Sequence, residues 1–244
     1  GTATALSYLG MLAKERGDFD RAVQYHEESL VLNRRAGNEY GLAQDLTQLS
    51  FIAYWLGQYE RSAELAQQAL DLARRLHNRR SIALALDGMG AALARLRQLT
   101  EAWSALMDSL TLYRELGNKS GQAMVLADLA MVVEAQGDHS QATQLYREAL
   151  ALAYQVGDRR RIAFCLEGLG QATAQTDPER AACWLSAAAE LRNDIASPLP
   201  AVEKTLLDQV LVQLRQSLSP EIFEAAWQYG RMTPLSDIVA PLLA

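Results

Sequence analysis

Three histidines, two cysteines and a scatter of carboxylates are the residues of this 244-residue chain that could carry chemistry. A zinc site needs Cys or His ligands paired at short, fixed spacing. His26, His77 and His139 fall at unrelated positions, and Cys165 and Cys183 are not paired with them in that way. Gly88-Met89-Gly90 and Gly168-Leu169-Gly170 have the outline of a dinucleotide-binding turn. That fingerprint works only between a strand and a helix, and both triplets fall in the middle of helical patterns. No Walker loop, nucleophile elbow or metalloprotease motif is present. The chemistry left is that of recognition, so the expectation is a non-enzymatic protein with no metal and no cofactor. Cys165 and Cys183 read as small buried thiols. His26 reads as a core or boundary residue, because its column also holds Ala66, Leu106 and Tyr146.

Those columns come from a repeat. Leu6, Leu46, Leu86, Leu126 and Leu166 stand 40 residues apart, as do Leu9, Leu49, Met89, Leu129 and Leu169. Gly10, Ser50, Gly90, Ala130 and Gly170 form a small column, and Ala22, Ser62, Ala102, Ala142 and Ala182 another. A period in this range is the mark of a solenoid. Within each period Leu46, Leu49, Ile52, Ala53 and Leu56 keep helical spacing, and a second stripe follows at Ala63, Ala66, Ala69, Leu70 and Leu72. Turns at Gly17-Asp18, Gly57-Gln58, Arg97-Gln98 and Gly137-Asp138 separate the two helices. Gly is the usual residue at a left-handed helix end, so Arg97 must take that conformation or change the turn. Gly37-Asn38, His77-Asn78, Gly117-Asn118 and Gly157-Asp158 separate the hairpins, with Asn or Asp placed to cap the next helix.

The predicted fold is all-α: a right-handed superhelical solenoid of antiparallel helix hairpins with a divergent helical cap. Residues 1–193 hold five hairpins, and residues 194–244 hold a divergent sixth hairpin and capping helices. Glu190 and Arg192 replace column leucines, which predicts a wetter face there. Ser197-Pro198-Leu199-Pro200 breaks the chain, and helices are expected at about 201–217, 220–230 and 234–243. Ser219-Pro220 and Thr233-Pro234 both look like helix starts.

The columns resemble the tetratricopeptide repeat. Hairpin one offers Leu6, Leu9-Gly10, Ala13, Gly17, Phe19, Ala22 and Ser29; hairpin four offers Leu126, Leu129-Ala130, Val133, Gly137, Ala142, Tyr146 and Ala149. The common repeat runs about 34 residues. The longer step here is similar to the repeats of bacterial signal-transduction ATPases and LuxR-like regulators, as is the tail Phe223-Glu224-Ala225-Ala226-Trp227-Gln228-Tyr229-Gly230-Arg231-Met232. The resemblance implies a protein- or peptide-binding or sensor module of a larger bacterial regulator, one that binds through its concave groove and contacts neighbouring ATPase or DNA-binding domains of the same polypeptide. The chain opens without Met inside a repeat, which reads as a segment of a longer protein. The alternative is a receptor domain for a small-molecule effector of a transcriptional regulator.

In this family the first helix of each hairpin lines the groove. The partner-binding residues implied are Tyr8 and Met11; Gln44, Gln48, Phe51, Tyr54 and Trp55; Asp87 and Arg95; Asp128, Met131 and Glu134; and Glu167 and Gln171. An apolar floor with acidic walls would suit a peptide carrying hydrophobic and basic residues. Phe51 and Trp55 either anchor that peptide or pack between neighbouring first helices. Net charge is −6 with no basic block, which speaks against direct nucleic-acid binding. No run of about eighteen apolar residues suggests a membrane span, and two cysteines suit a reducing cytoplasm. The small columns let backbones approach closely, so Ala142→Leu is expected to destabilise the protein by about 1–3 kcal/mol through overpacking, read by urea denaturation.

Overall fold

A computed structural model describes residues 1–199 and 201–243, with the backbone alone for Glu15 and Ala201. Pro200, the last residue of the expected chain break, and Ala244 lie outside the described residues. Among the described residues there are thirteen α-helices and no strand, in two compact units, residues 1–118 and 119–244.

The first unit holds α1 (Thr2–Glu15), α2 (Phe19–Arg35), α3 (Glu39–Trp55), α4 (Tyr59–Arg75), α5 (Arg79–Arg95) and α6 (Leu99–Glu115). Consecutive helices pack as pairs, and α3 also touches α1 and α5. The turns follow one rule. A residue with positive φ closes a helix, and the next residue starts another. Asp18, Asn38 and Asn78 accept the backbone N–H of Arg21, Gly41 and Ser81 with their side chains, which satisfies a donor left open at each helix start. His77 and Arg97 adopt φ of 51° and 62° where other turns use glycine. The surrounding turn thus holds two L-residues in the left-handed region, at a cost of roughly 1–2 kcal/mol each.

The small columns lie where the helices of a pair come closest. Ser50 and Ser62 exchange hydrogen bonds, each hydroxyl donating to the other's carbonyl oxygen at 2.9 Å. A β-carbon on Gly90 would stand 3.2 Å from the Ala102 carbonyl oxygen. Leu46, Leu70, Leu72 and Leu86 fill the layer between hairpins with Ala43, Ala69, Ala85 and Ala105. Ion pairs Glu39–Arg75 and Arg79–Glu115 join the start of a hairpin's first helix to the end of its second. They are exposed, and each contributes little.

The second unit holds α7 (Lys119–Ala135), α8 (His139–Val156), α9 (Arg159–Thr173), α10 (Pro178–Asp194), α11 (Ala201–Ser217), α12 (Pro220–Met232) and α13 (Leu235–Leu243). The pairs α7–α8 and α9–α10 repeat the hairpin, and Arg159–Asp194 repeats the clip. The tail departs from it. α12 lies along α10, while α11 touches both only lightly. Leu207, Leu214 and Phe223 of the tail share one cluster with Ala181, Ala182 and Leu185, and Ser186 Oγ donates to the Trp227 carbonyl at 2.5 Å. Arg192 corrects one expectation: it is 5% exposed rather than on a wet face, because Glu167 pairs with it inside the unit.

Gly230 permits the α10–α12 contact, since a β-carbon there would collide with the Cys183 main chain. Backbone cannot step aside as a side-chain tip can. Gly230→Ala is therefore expected to cost the protein about 1–3 kcal/mol, read as a lowered urea midpoint with an unchanged far-UV spectrum in water.

Candidate functional site

An open cleft of about 600 Å³ lies in the first unit, over α1, α3 and the start of α5. Its floor is polar because three core columns change character here. Asp45 stands in a column otherwise holding Ala5, Ala85, Val125 and Cys165; Asn33 in one with Ala73, Tyr113, Ala153 and Asn193; and His26 in one with Ala66, Leu106 and Tyr146. Ser29, from a column that also holds Ser109, lies beside them. Asp45 and His26 are both fully buried.

The cluster is tightly bonded. Asp45 Oδ1 lies 3.0 Å from His26 Nδ1 and accepts the Ser7 hydroxyl at 2.8 Å. Asn33 Nδ2 donates to Asp45 Oδ2 at 2.9 Å. Asn38 Nδ2 donates to Asn33 Oδ1 at 2.7 Å while its own carbonyl oxygen caps α3. His26 Nε2 has no hydrogen-bond partner among the described residues, and its ring fills the space that a β-carbon on Gly10 would take. Burying a carboxylate is costly unless donors surround it; here three side chains do. The order Ser7–Asp45–His26 puts the carboxylate in the middle, so the histidine is not placed to take the serine's proton as a nucleophilic triad requires.

Of the residues expected to bind a partner, Tyr8, Met11, Gln44 and Gln48 line this cleft. Lys14 Nζ donates to Gln48 Oε1 at 2.6 Å and stands 5.9 Å from the Phe51 ring centre. Phe51 faces Gly88 of α5, where a β-carbon would be 3.6 Å from the ring, so it packs between first helices. Tyr54 meets Trp55 and Tyr59 edge-on at 5.8 and 5.6 Å, and Arg95 Nε donates to its hydroxyl at 3.0 Å. That aromatic group forms the far end of the α3 face and does not line the cleft.

The expected acidic wall is not an open one. Asp87 is fully buried, and its charge adds to burial in pushing the Tyr113 phenol up. In the second unit Asp128 is nearly buried, 3.8 Å from Arg161, and Glu134 accepts the Tyr146 hydroxyl at 3.2 Å. Glu167 receives Arg192 at 2.5 and 2.8 Å; burial raises its carboxyl and the arginine opposes that. Met131 and Gln171 are half-buried on their helices. With Asp87, Asp128 and Glu167 buried, the wall offers a basic peptide little exposed negative charge.

The sequence reading missed Asp45, Asn33, Asn38, Tyr40 and Arg80 as cleft residues. The signal was available for Asp45, a carboxylate in a column of apolar side chains. Elsewhere, burial pushes the Cys165 thiol up to about 12 and also raises Cys183, so neither is a ready nucleophile. No cluster of three or more metal-binding side chains occurs among the described residues, and no helix among them is long and apolar enough to cross a membrane.

Compared with known proteins, residues 1–75 and 81–155 match the tetratricopeptide repeat family. Among solved structures the chain is similar to a Rap protein complexed with competence and sporulation factor, at 16% identity over 97% of this chain and 74% of that one, with a TM-score of 0.73. It is similar to the Rap conjugation gene regulator of plasmid pLS20 in complex with the Phr peptide, at 17% identity over 91% and 60%, with a TM-score of 0.72. BtubC from P. vanneervenii shares 20% identity over 80% and 81%, with a TM-score of 0.58. At these identities the likeness is one of fold. The comparison with curated proteins finds no match.

Removing Asp45 takes the carboxylate from buried His26 and Asn33 and from half-buried Ser7. Asp45→Ala is expected to destabilise the first unit on the order of 3 kcal/mol. Changing His26→Leu and Asn33→Ala as well, to the types other repeats carry, should restore at least half of that in urea unfolding.

Proposed function

From a chain that belongs to the tetratricopeptide repeat family and carries an open cleft over its first helices, we propose a non-catalytic module that binds an extended peptide or a protein segment. The observation behind this reading is the cleft itself: Tyr8, Met11, Gln44 and Gln48 line it above a buried polar floor. Amide and hydroxyl side chains suit a peptide main chain, which offers both donors and acceptors, while Tyr8, 61% exposed, and Met11 offer apolar contact. The solved relative bound to the Phr peptide supports the same reading.

The division of labour we propose gives residues 1–193 the binding role and lets 194–244 close the array. The setting is an intracellular bacterial regulator in which binding biases a neighbouring domain of the same polypeptide. Such a bias requires different affinities for two states. The second reading, a small-molecule effector receptor, has one observation in its favour: about 600 Å³ is within the range of ligand pockets.

A random-peptide display screen against the protein tests the proposal. Peptides are expected at micromolar affinity, weakened at least tenfold by Tyr8→Ala or Gln48→Ala and unchanged by Tyr229→Ala in the tail. Binding that ignores the cleft substitutions contradicts it. A thermal shift with metabolites, and no peptide captured, would favour the effector reading; a ligand at 100 times its dissociation constant stabilises by about 2.7 kcal/mol.

A further inference from the structure

The turns that join one hairpin to the next fall at one edge of the first unit. Arg34 and Arg35 end α2, Arg74 and Arg75 end α4, and Arg114 ends α6. Arg79 and Arg80 begin α5 at the same edge. Arg34, Arg74 and Arg114 repeat with the 40-residue step. The ion pairs Arg75–Glu39 and Arg79–Glu115 show that these helix ends are neighbours in space. Those pairs use both carboxylates that the terminal turns contain. Arg34, Arg35, Arg74, Arg80 and Arg114 are exposed and make no ion pair among the described residues. The opposite edge is balanced: in its terminal turns Lys14, Arg21, Arg61 and Arg95 are matched by four acidic residues. Further exposed acids lie along α2, α4 and α6, at Glu27, Glu28, Glu64, Asp71 and Asp108. The net charge of −6 is therefore a sum over separated regions and does not describe the arginine edge.

We propose that this arginine ridge docks the phosphate backbone of duplex DNA, without reading its bases. The proposal does not rest on the peptide-binding reading, and it reverses the expectation drawn from net charge. Neighbouring first helices touch, so hairpins step by about 8–10 Å and the ridge runs roughly 20 Å from α2 to α6. With one phosphate per about 3.4 Å of axis on each strand, that is the reach of about six phosphates. Guanidinium forks meet phosphate oxygens through two parallel hydrogen bonds, and the ridge is built of arginine without lysine. In the terminal turns and the loops between them, Tyr40 and Leu116 are the large apolar side chains left exposed. Two are too few for the apolar centre of a protein interface or for insertion into a bilayer. A single strand needs a series of aromatic rings to stack on, and Tyr40 alone does not supply one. An RNA duplex is recognised through its 2′-hydroxyls, whereas the amides here, Asn38 and Asn78, are already engaged as helix caps. What remains is a row of cations suited to a regular line of phosphates.

Fluorescence anisotropy with a labelled DNA duplex of mixed sequence, about 20 base pairs long, tests this. Between about 50 and 200 mM salt the affinity is expected to fall roughly two hundredfold, a slope of about −4 on logarithmic axes. The triple variant Arg34→Gln, Arg35→Gln, Arg74→Gln should bind at least tenfold more weakly at the lower salt, with the slope reduced to about −1.5. Arg80 is kept because it also lines the cleft, so peptide capture should be unchanged. The triple variant Arg16→Gln, Arg21→Gln, Arg61→Gln removes the same charge from the opposite edge and should alter DNA affinity by less than about twofold. Far-UV circular dichroism should be unchanged for both variants, since all the replaced side chains are exposed. Absence of binding at the lower salt, or equal weakening by the two triples, overturns the proposal. So does tighter binding of duplex RNA, single-stranded DNA or phosphatidylglycerol vesicles than of duplex DNA. Each of these outcomes leaves the peptide-binding reading standing.

Discussion

The close approach of the two helices within each hairpin is the constraint on which this structure depends. Backbones meet at Ser50 and Ser62, and at Gly90 and Ala102, because those positions carry almost no side chain. Shallow contact in one column forces large residues into the neighbouring ones, and leucines there fill the layer between hairpins. Turn chemistry then sets each new helix in the first unit: a left-handed residue ends one, and Asp18, Asn38 and Asn78 cap the next with their side chains, while Gln58 and Gln98 begin theirs without such a bond. The step recurs because the same few positions recur.

A frame this regular makes exceptions informative. His26, Asn33 and Asp45 occupy columns that other repeats fill mainly with uncharged, largely apolar side chains, and a buried ionisable cluster is seldom the most stable filling of such a space. It persists here directly beneath the cleft, where Asn38 links it to the start of α3. The cluster holds α1, α2 and α3 together through oriented bonds, where methyl contacts would leave more freedom. The Glu167–Arg192 pair does similar work in the second unit, tying α9 to the end of α10 just before the chain leaves the repeat.

Most of the fold was legible in the sequence, and the reason is repetition. Five copies of each column separate a structural requirement from an accident, and even the strained turn at Arg97 could be foreseen. The tail helices were visible from their Ser-Pro and Thr-Pro starts, but not that α12 would lie against α10, since Gly230 has no repeated counterpart to show its purpose. The site was less legible. Columns place a residue on a face without saying whether its charge is exposed: Asp87 and Glu167 share a groove column, yet both are buried, Glu167 against Arg192 of the next helix. Arg80 escaped notice because it sits at the start of a helix, outside the stripe the repeat defines.

A partner seated in the first unit's cleft must cover the helices that line it. Hydrogen exchange on the protein with a captured peptide reads that cover residue by residue. Slowed exchange is expected at residues 38–48 and 78–84, with 201–243 unchanged. Protection confined to the tail, or to the outer faces of α2 and α4, would contradict it.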